Sequence, residues 1–412
     1  MSKRKVAKVW FHFSILISCA SHVYAETANP ADLHISGFLN QAFISTTDNN
    51  FFGKSDDAVS TDYREAGVFF NKNITPKLQA TAQLLARQAG ELDDGHLRID
   101  QLMMVYRFQD DFDLTQGIWF GRLKAHYGLY NTTRDVPFTR PGILMPQSIY
   151  FDRARNSLLL EDTLGYYQER RNEYGSWRLD FGLVKSVPND KELVDFFSSN
   201  SSLNGKPGYG EGFQFTWHSP LEQYYIGFAM ANPEYKFEAN NADYFNPDGS
   251  INLINADGKA VFRNASGFIQ YFSSDWVFTF ELSRNDVIFS LKNSTPNMHV
   301  KSLSYYEQIE YHFSASIDFI VRYDNFFTNK DDKYGKAYEQ TLVAQLTGRP
   351  GYSQYAQDAM LGVGWHPAND WLIRAELHNV EGTGWLSYRE NPNQRALAKY
   401  WNLAALQVSY RF

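Results

Sequence analysis

The connections in this chain alternate short and long from end to end, and that constrains its fold more than any other feature. Seven tight links separate stretches of alternating hydrophobicity: Asn73-Ile74-Thr75-Pro76, Gln109-Asp110-Asp111, Asn172-Glu173-Tyr174, Ser219-Pro220-Leu221, Ser273-Ser274, Ser314-Ala315 and Pro367-Ala368-Asn369. Between the links lie eight longer polar segments rich in Gly, Asn, Asp and Pro. A soluble β-sandwich has no reason to keep two unlike rims. A barrel that crosses a bilayer carries short turns on one rim and long loops on the other. Counting strands between these connections gives about sixteen, an even number as such barrels require. The fold class expected is all-β, a transmembrane antiparallel β-barrel.

The strands themselves carry period two. Over 77–87, Leu78, Ala80, Ala82, Leu84 and Ala86 alternate with Gln79, Thr81, Gln83 and Arg87. Over 275–285, Trp276, Phe278, Phe280 and Leu282 oppose Thr279, Glu281 and Ser283. The stretches 316–327 and 370–380 set Ile317, Phe319, Val321, Trp371, Ile373 and Leu377 against Asp318, Arg322, Asp324, Arg374, Glu376 and His378. One face suits lipid and the other water, at roughly the 9–11 residues that a tilted spanning strand needs. The remaining strands are expected near 33–45, 62–73, 97–108, 113–123, 162–171, 175–186, 212–218, 222–231, 263–273, 300–313, 357–366 and 400–412. On 113–123 the pattern is ambiguous. Arg122 is placed inward there, since an Arg facing hydrocarbon at mid-bilayer costs about 2–4 kcal/mol. Closure is required, because an open sheet would leave unpaired backbone in lipid.

Residues 1–25 read as a secretory signal: Lys3, Arg4, Lys5 and Lys8, then an apolar stretch from Val9 to Ala20, then Val23-Tyr24-Ala25 as the cleavage site. Leu16-Ile17-Ser18-Cys19 also resembles a lipobox, which would instead make Cys19 a lipidated N-terminus. Cleavage after Ala25 takes 25 residues from 412 and leaves residues 26–412, 387 in all, as one barrel domain without cysteine. No disulfide framework or thiolate chemistry is then available. Losing four basic residues and no acidic one moves the formal charge from −7 to −11, which argues against nucleic acid as a partner. No run of eighteen apolar residues exists outside the signal. A mean hydropathy of −0.44 with 16% aromatic residues fits a wet lumen bounded by aromatic girdles.

The last strand alternates Leu406, Val408, Tyr410 and Phe412 with Gln407, Ser409 and Arg411. It resembles the C-terminal signal of Gram-negative outer-membrane proteins, which implies that Tyr410 and Phe412 are read by the barrel-assembly machinery. A second resemblance lies in Gly121-Arg122-Leu123-Lys124, Tyr127-Gly128-Leu129-Tyr130 and Asp135-Val136-Pro137-Phe138-Thr139-Arg140-Pro141. This stretch resembles the porin superfamily, in which a Gly-Arg-x-Lys-type strand leads into a long third loop that folds into the lumen and narrows it. The third long segment here, about 124–161, stands in that place. The resemblance implies a sixteen-stranded porin in the outer membrane after Sec-type export, both termini periplasmic, usually a homotrimer. Its surroundings would be outer-membrane lipid and lipopolysaccharide, and it would pass small hydrophilic solutes by passive diffusion.

A folded-in loop shrinks the bore and brings fixed charges close to the solute, in a low-dielectric wall that concentrates their field. The loop offers Lys124, Arg134, Arg140, Arg153 and Arg155 against Asp135, Asp152, Glu161 and Asp162. Arg87, Arg107, Arg122 and Arg178 are the wall candidates facing it. Basic residues predominate in this set, which predicts a mild preference for anions or for carboxylated or sulfonated solutes. Arg/Asp mixtures equally suit sugars. No cofactor or metal site is expected, because Tyr244 and Asn255 fail the outer ligand positions of a calcium loop around Asn246-Pro247-Asp248-Gly249. A barrel enzyme of the phospholipase kind is the rival from another class, yet no Gly-x-Ser-x-Gly and no His-Glu-x-x-His occurs, and His378-Asn379 has no serine motif beside it. An adhesive or structural barrel, using the loops at 187–211, 232–262 and 328–356, is the third reading.

Overall fold

A computed structural model describes residues 33–158, 160–186, 204–206, 208–238, 258–291 and 298–412. In it the period-two stretches form sixteen long antiparallel strands. In chain order these are β1 (Leu33–Thr46), β2 (Ser60–Thr75), β3 (Leu78–Ala89), β4 (Asp93–Asp110), β5 (Leu114–Lys124), β6 (Leu160–Asn172), β7 (Gly175–Ser186) and β8 (Gly208–His218). They continue as β9 (Tyr224–Ala231), β10 (Gly258–Ser273), β11 (Trp276–Leu291), β12 (Met298–His312), β13 (Ile317–Phe327), β14 (Tyr355–Ala368), β15 (Trp371–Gly382) and β16 (Tyr400–Arg411). Two short segments, Asn204–Lys206 and Glu234–Glu238, pair with each other and prolong β8 and β9. Each long strand pairs with the next, and β16 pairs with β1 from Phe38↔Arg411 to Thr46↔Leu403, so the sheet closes on itself. Residues 1–25, Cys19 included, and most of the fourth and fifth long segments lie outside the described residues.

All seven tight links fall at turns on one rim. Several strands run further toward the other rim than the sequence pattern suggests. β4 begins at Asp93, β8 at Gly208 and β10 at Gly258, and β11 continues to Leu291. The second long segment therefore shrinks to Gly90–Leu92. At this rim both faces of a strand meet water, so the alternation that marks a spanning strand fades although the ladder of backbone hydrogen bonds continues. The seventh long segment also holds a short helix, Leu342–Thr347, with Thr341 Oγ1 accepting from the Ala344 N–H and Gly348 in the left-handed conformation at its end. Six residues are too few to leave a readable helical period.

The decision between a soluble sandwich and a membrane barrel lies in which face is covered. On β11, Phe280 and Leu282 are 38% and 42% exposed, while Glu281 and Ser283, which alternate with them, are fully buried. A sandwich would show the reverse. Rows of exposed apolar side chains around a closed sheet are an aggregation liability in water and a requirement in lipid. Beside the tight turns the outer face carries an aromatic band. Its rings pack in pairs, Trp276 on Tyr311 at 4.4 Å, Trp371 on Tyr410 at 5.0 Å and Tyr224 on Tyr271 at 5.0 Å.

Among the described residues the largest apolar cluster sits inside the barrel mouth rather than between sheets. Phe51 and Phe52 of the first long loop, Trp385 and Leu386 of the last, and Ile143 and Leu144 of the third pack there against Trp401. Phe52 adopts a φ of 53°, an unusual conformation for a bulky residue. The Glu390 carboxylate accepts from the Phe52 N–H at 3.1 Å and the Gly53 N–H at 2.7 Å and holds the turn. Loops one, three and eight are thus joined into one body.

Candidate functional site

Between Lys124 and Leu160 the chain leaves the wall and crosses the lumen. Its first turn closes where Asn131 Nδ2 donates to the Ala125 carbonyl at 2.7 Å. Tyr127 then reaches the β11 wall, with its hydroxyl on Ser283 and 3.2 Å from Asn285 Oδ1. Gly128 has a φ of +66°, and a Cβ there would lie 2.6 Å from Glu281 Oε1 and 2.5 Å from the Tyr150 hydroxyl. Glycine is what allows the Leu129 N–H to approach Glu281 at 3.1 Å. Tyr150 and Tyr306 also donate to that carboxylate, at 2.7 and 2.8 Å.

The tip of the loop is tied by Thr139 Oγ1, which donates to the Thr133 carbonyl at 2.7 Å. There Phe138 lies under the Arg411 guanidinium, 4.6 Å from its ring centroid. Arg411 ends β16 beside the tight-turn rim, so the loop runs nearly the depth of the barrel. On the return leg Glu376 accepts from the Ile143 and Leu144 N–H groups at 2.5 and 3.2 Å. Arg322 donates to the Leu144 carbonyl at 3.1 Å, and Asp324 accepts from the Ser148 N–H at 3.2 Å. Arg374 donates to the Pro137 carbonyl at 2.8 Å. Backbone groups of an irregular segment buried in this way must find partners, and the wall supplies them.

Two ion clusters pin the loop to the opposite wall. In one, Glu65 on β2 accepts from Arg87 at 3.2 Å, Arg140 at 2.8 Å and Asn40 at 2.9 Å. Arg87 also pairs with Asp93 at 3.5 Å and with Asp152, while Arg140 reaches the Tyr63 hydroxyl at 2.7 Å. In the other, Asp135 and Asp100 face Lys124, Arg134 and Arg155, all five at least 95% buried. Lys124 and Arg155 pair with Asp135, and Arg134 Nε stands 3.9 Å from it. Burial alone would raise the Asp135 carboxyl, but Arg155, Lys124 and Arg134 together hold it well below the usual carboxylate range. Burial, and then the Arg155 charge, pushes the Arg134 guanidinium down to about 9. The cluster holds one cation more than it can neutralise.

No family model and no curated protein matches the chain. Solved structures do. The outer-membrane channel DcaP of Acinetobacter baumannii aligns with a TM-score of 0.55 at 13% identity, covering 92% of this chain and 97% of that one. The anion-selective porin of Comamonas acidovorans aligns at 0.55 and 10% identity, covering 92% and 99%. The trimer form of OmpT, an outer membrane protein of Vibrio cholerae, aligns at 0.53 and 12% identity, covering 92% and 99%. The fold is that of the outer-membrane porins.

Within this porin fold the candidate residues fall into three groups. Arg87, Lys124, Arg134, Asp135, Arg140, Asp152 and Arg155 meet in the two clusters just described. Arg178 on β7 pairs with Asp180 at 2.7 Å and with Glu169, and Asp180 in turn lies 3.9 Å from His126 at the start of the loop. Arg153, on the return leg of the loop, lies apart from both clusters with its guanidinium 5.6 Å from the Tyr388 ring centroid. Arg107 bonds Gln79 at 2.9 Å and Asp110 at 3.5 Å beside the tight-turn rim, away from the loop. Arg122 is a correction. It shares the outward face with the exposed Ile118 and Phe120 and pairs with Asp162 at 2.8 Å. The inward set is Trp119 and Leu123, because Trp119 fills the space over Gly165 and Gly182, where a Cβ would meet its ring at 2.1 and 2.6 Å. Arg122 is two residues from the end of β5 and has an anionic neighbour. Charge on the lipid face costs only about 0–1 kcal/mol near the interface. Replacing Arg122 by Gln is therefore expected to leave single-channel conductance unchanged, with a stability loss below about 1 kcal/mol. A conductance change in planar-bilayer recording would return Arg122 to the lumen.

The expected excess of basic groups is a second correction. Glu65, Asp100, Glu281, Asp324 and Glu376 all turn toward the loop or its cations, and none of them belongs to the set expected above. Strand parity alone could have put Glu281, Asp324 and Glu376 on the wet face. Nothing in the sequence tied them to the loop.

Proposed function

We propose that this chain is a porin of a Gram-negative outer membrane, mature from residue 26 and assembled as a homotrimer, which lets small hydrophilic solutes diffuse through a water-filled lumen. The observation that carries this is the third loop, anchored on opposite walls of a closed barrel whose outer face is apolar. A loop so placed sets the bore, and the residues in the two ion clusters act by fixing it. Arg107 and Arg178 line the wall below. Most loop cations have carboxylate partners, so selectivity rests on the few left over: Arg153 and the surplus cation beside Asp135. That supports a mild anion preference. Tyr410 and Phe412 serve as the assembly signal, and lipopolysaccharide surrounds the outer rim.

We read the barrel as non-catalytic. His378, the candidate general base beside Asn379, has Nδ1 on Asp358 at 2.8 Å and Nε2 on Glu376 at 3.2 Å. Both nitrogens are committed, and a base needs one facing its substrate.

Currents through the refolded protein in a planar bilayer test the proposal. Stable ohmic steps arriving in threes are expected, with a salt-gradient reversal potential of the sign given by anion preference. A folded barrel without conductance would overturn the channel, and a cation-selective reversal potential would overturn the charge reading alone.

A further inference from the structure

Above the third loop, toward the long-loop rim, lies a cavity of about 170 Å³ that the channel reading does not require. It is lined by Ile149 and Phe151 of the third loop, Phe262, Val287 and Phe289 of the barrel wall, and Trp385 of the last loop. A passage for ions or sugars gains nothing from such a surface, since apolar walls offer no donors or acceptors to replace lost hydration. The space is of the size that takes a benzene ring; a dry cavity of about 150 Å³ lined by aliphatic and aromatic side chains binds benzene.

Among the described residues, one charged group reaches this cavity. Arg153 lines it, with Nη1 at 3.4 Å from the Leu386 carbonyl and the guanidinium 5.6 Å from the Tyr388 ring centroid. No carboxylate among the described residues pairs with Arg153, whereas the other basic groups of the loop all have a carboxylate within 4.0 Å. A guanidinium offers a planar fork of donors that matches a carboxylate or sulfonate. Asn264 and Asn285 add neutral polar groups on the opposite wall.

We infer that this vestibule is a binding site for amphiphilic anions, solutes with one aryl or branched alkyl body and one carboxylate or sulfonate, held before they pass the loop. The apolar walls take the body and Arg153 takes the anionic group. This rests on the channel reading and narrows its solute class. Such a site raises the local concentration of its solute at the mouth while leaving inorganic ions free to pass.

The test uses the full barrel in lipid nanodiscs, with benzoate as probe and acetate and benzyl alcohol as controls, read by calorimetry and by interruptions of the single-channel current. Benzoate is expected to bind at least about tenfold more tightly than either control, since acetate lacks the ring and benzyl alcohol the charge. Arg153→Gln should erase the preference over benzyl alcohol, Arg153→Lys should keep part of it, and Val287→Ser should weaken the preference over acetate. Folding of each variant is checked by its heat-induced mobility shift. Equal affinity for benzoate and acetate in the unaltered protein overturns the inference even if no variant folds, as does a benzoate preference that survives Arg153→Gln. Conductance in salt without benzoate binding overturns this site alone. Benzoate binding without conductance overturns the channel reading and leaves the site standing.

Discussion

Glu65→Ala should free one side of the third loop and produce a larger, noisier current. Glu65 is fully enclosed and is the shared acceptor of Arg87 and Arg140. Removing it leaves two guanidinium groups in a dry pocket against Asp93 and Asp152, both of which pair with Arg87 and neither with Arg140. Breaking a buried pair from one side costs about 3–5 kcal/mol, most of it the penalty of the stranded charge. The barrel ladder does not depend on this contact, so the expected casualty is the loop. Single-channel recording should show a mean conductance above that of the unaltered protein with frequent sublevels. Arg140→Met together with Glu65→Leu should restore a quiet channel, because Arg87 keeps Asp93 and Asp152 and no buried charge is left without a partner. A quiet, unchanged current in Glu65→Ala would mean that the loop is held elsewhere.

The second large effect is expected at Asp135. Asp135→Asn leaves Lys124, Arg134 and Arg155 with Asp100, which Arg98 already engages at 3.2 Å, and should cost about 3–5 kcal/mol, read as a fall in the midpoint of the heat-induced mobility shift. Arg134→Met should cost far less, since its Nε and Nη1 find no protein acceptor and its charge is the surplus one. The pH dependence follows from the sign of the shift. The folded protein holds the Asp135 carboxyl below its unfolded value, so its contribution is complete above about pH 4 and is lost as pH falls toward the depressed folded value. The unaltered protein should therefore keep its midpoint from pH 7 to pH 5 and lose part of it below pH 4. Asp135→Asn should begin low and change less over the same acid range. An equal acid loss in both would move the titrating group away from Asp135.

Much of the barrel is legible in the chain. Alternating stretches such as 275–285 state their inner and outer faces, and links such as Ser273-Ser274 mark the tight rim. Legibility fails where water touches both faces, so the outer ends of β4, β10 and β11 look like loop. It fails again on β5. Trp119 and Arg122 sit on opposite faces, and the choice turns on Gly165 and Gly182 in neighbouring strands making room for an indole. No property of 113–123 alone contains that fact.

A closed antiparallel barrel, its unlike rims and the position of a long third loop can be read along the chain, because strand period and connection length are local quantities. Where that loop lies and what neutralises it emerge only once the barrel is closed. Its carboxylate partners come from β2, β4, β11, β13 and β15, up to 233 residues away along the chain, as Glu376 is from Ile143. Charge balance inside a lumen is a property of what closure brings together, so a count taken along one segment overstated its basic character.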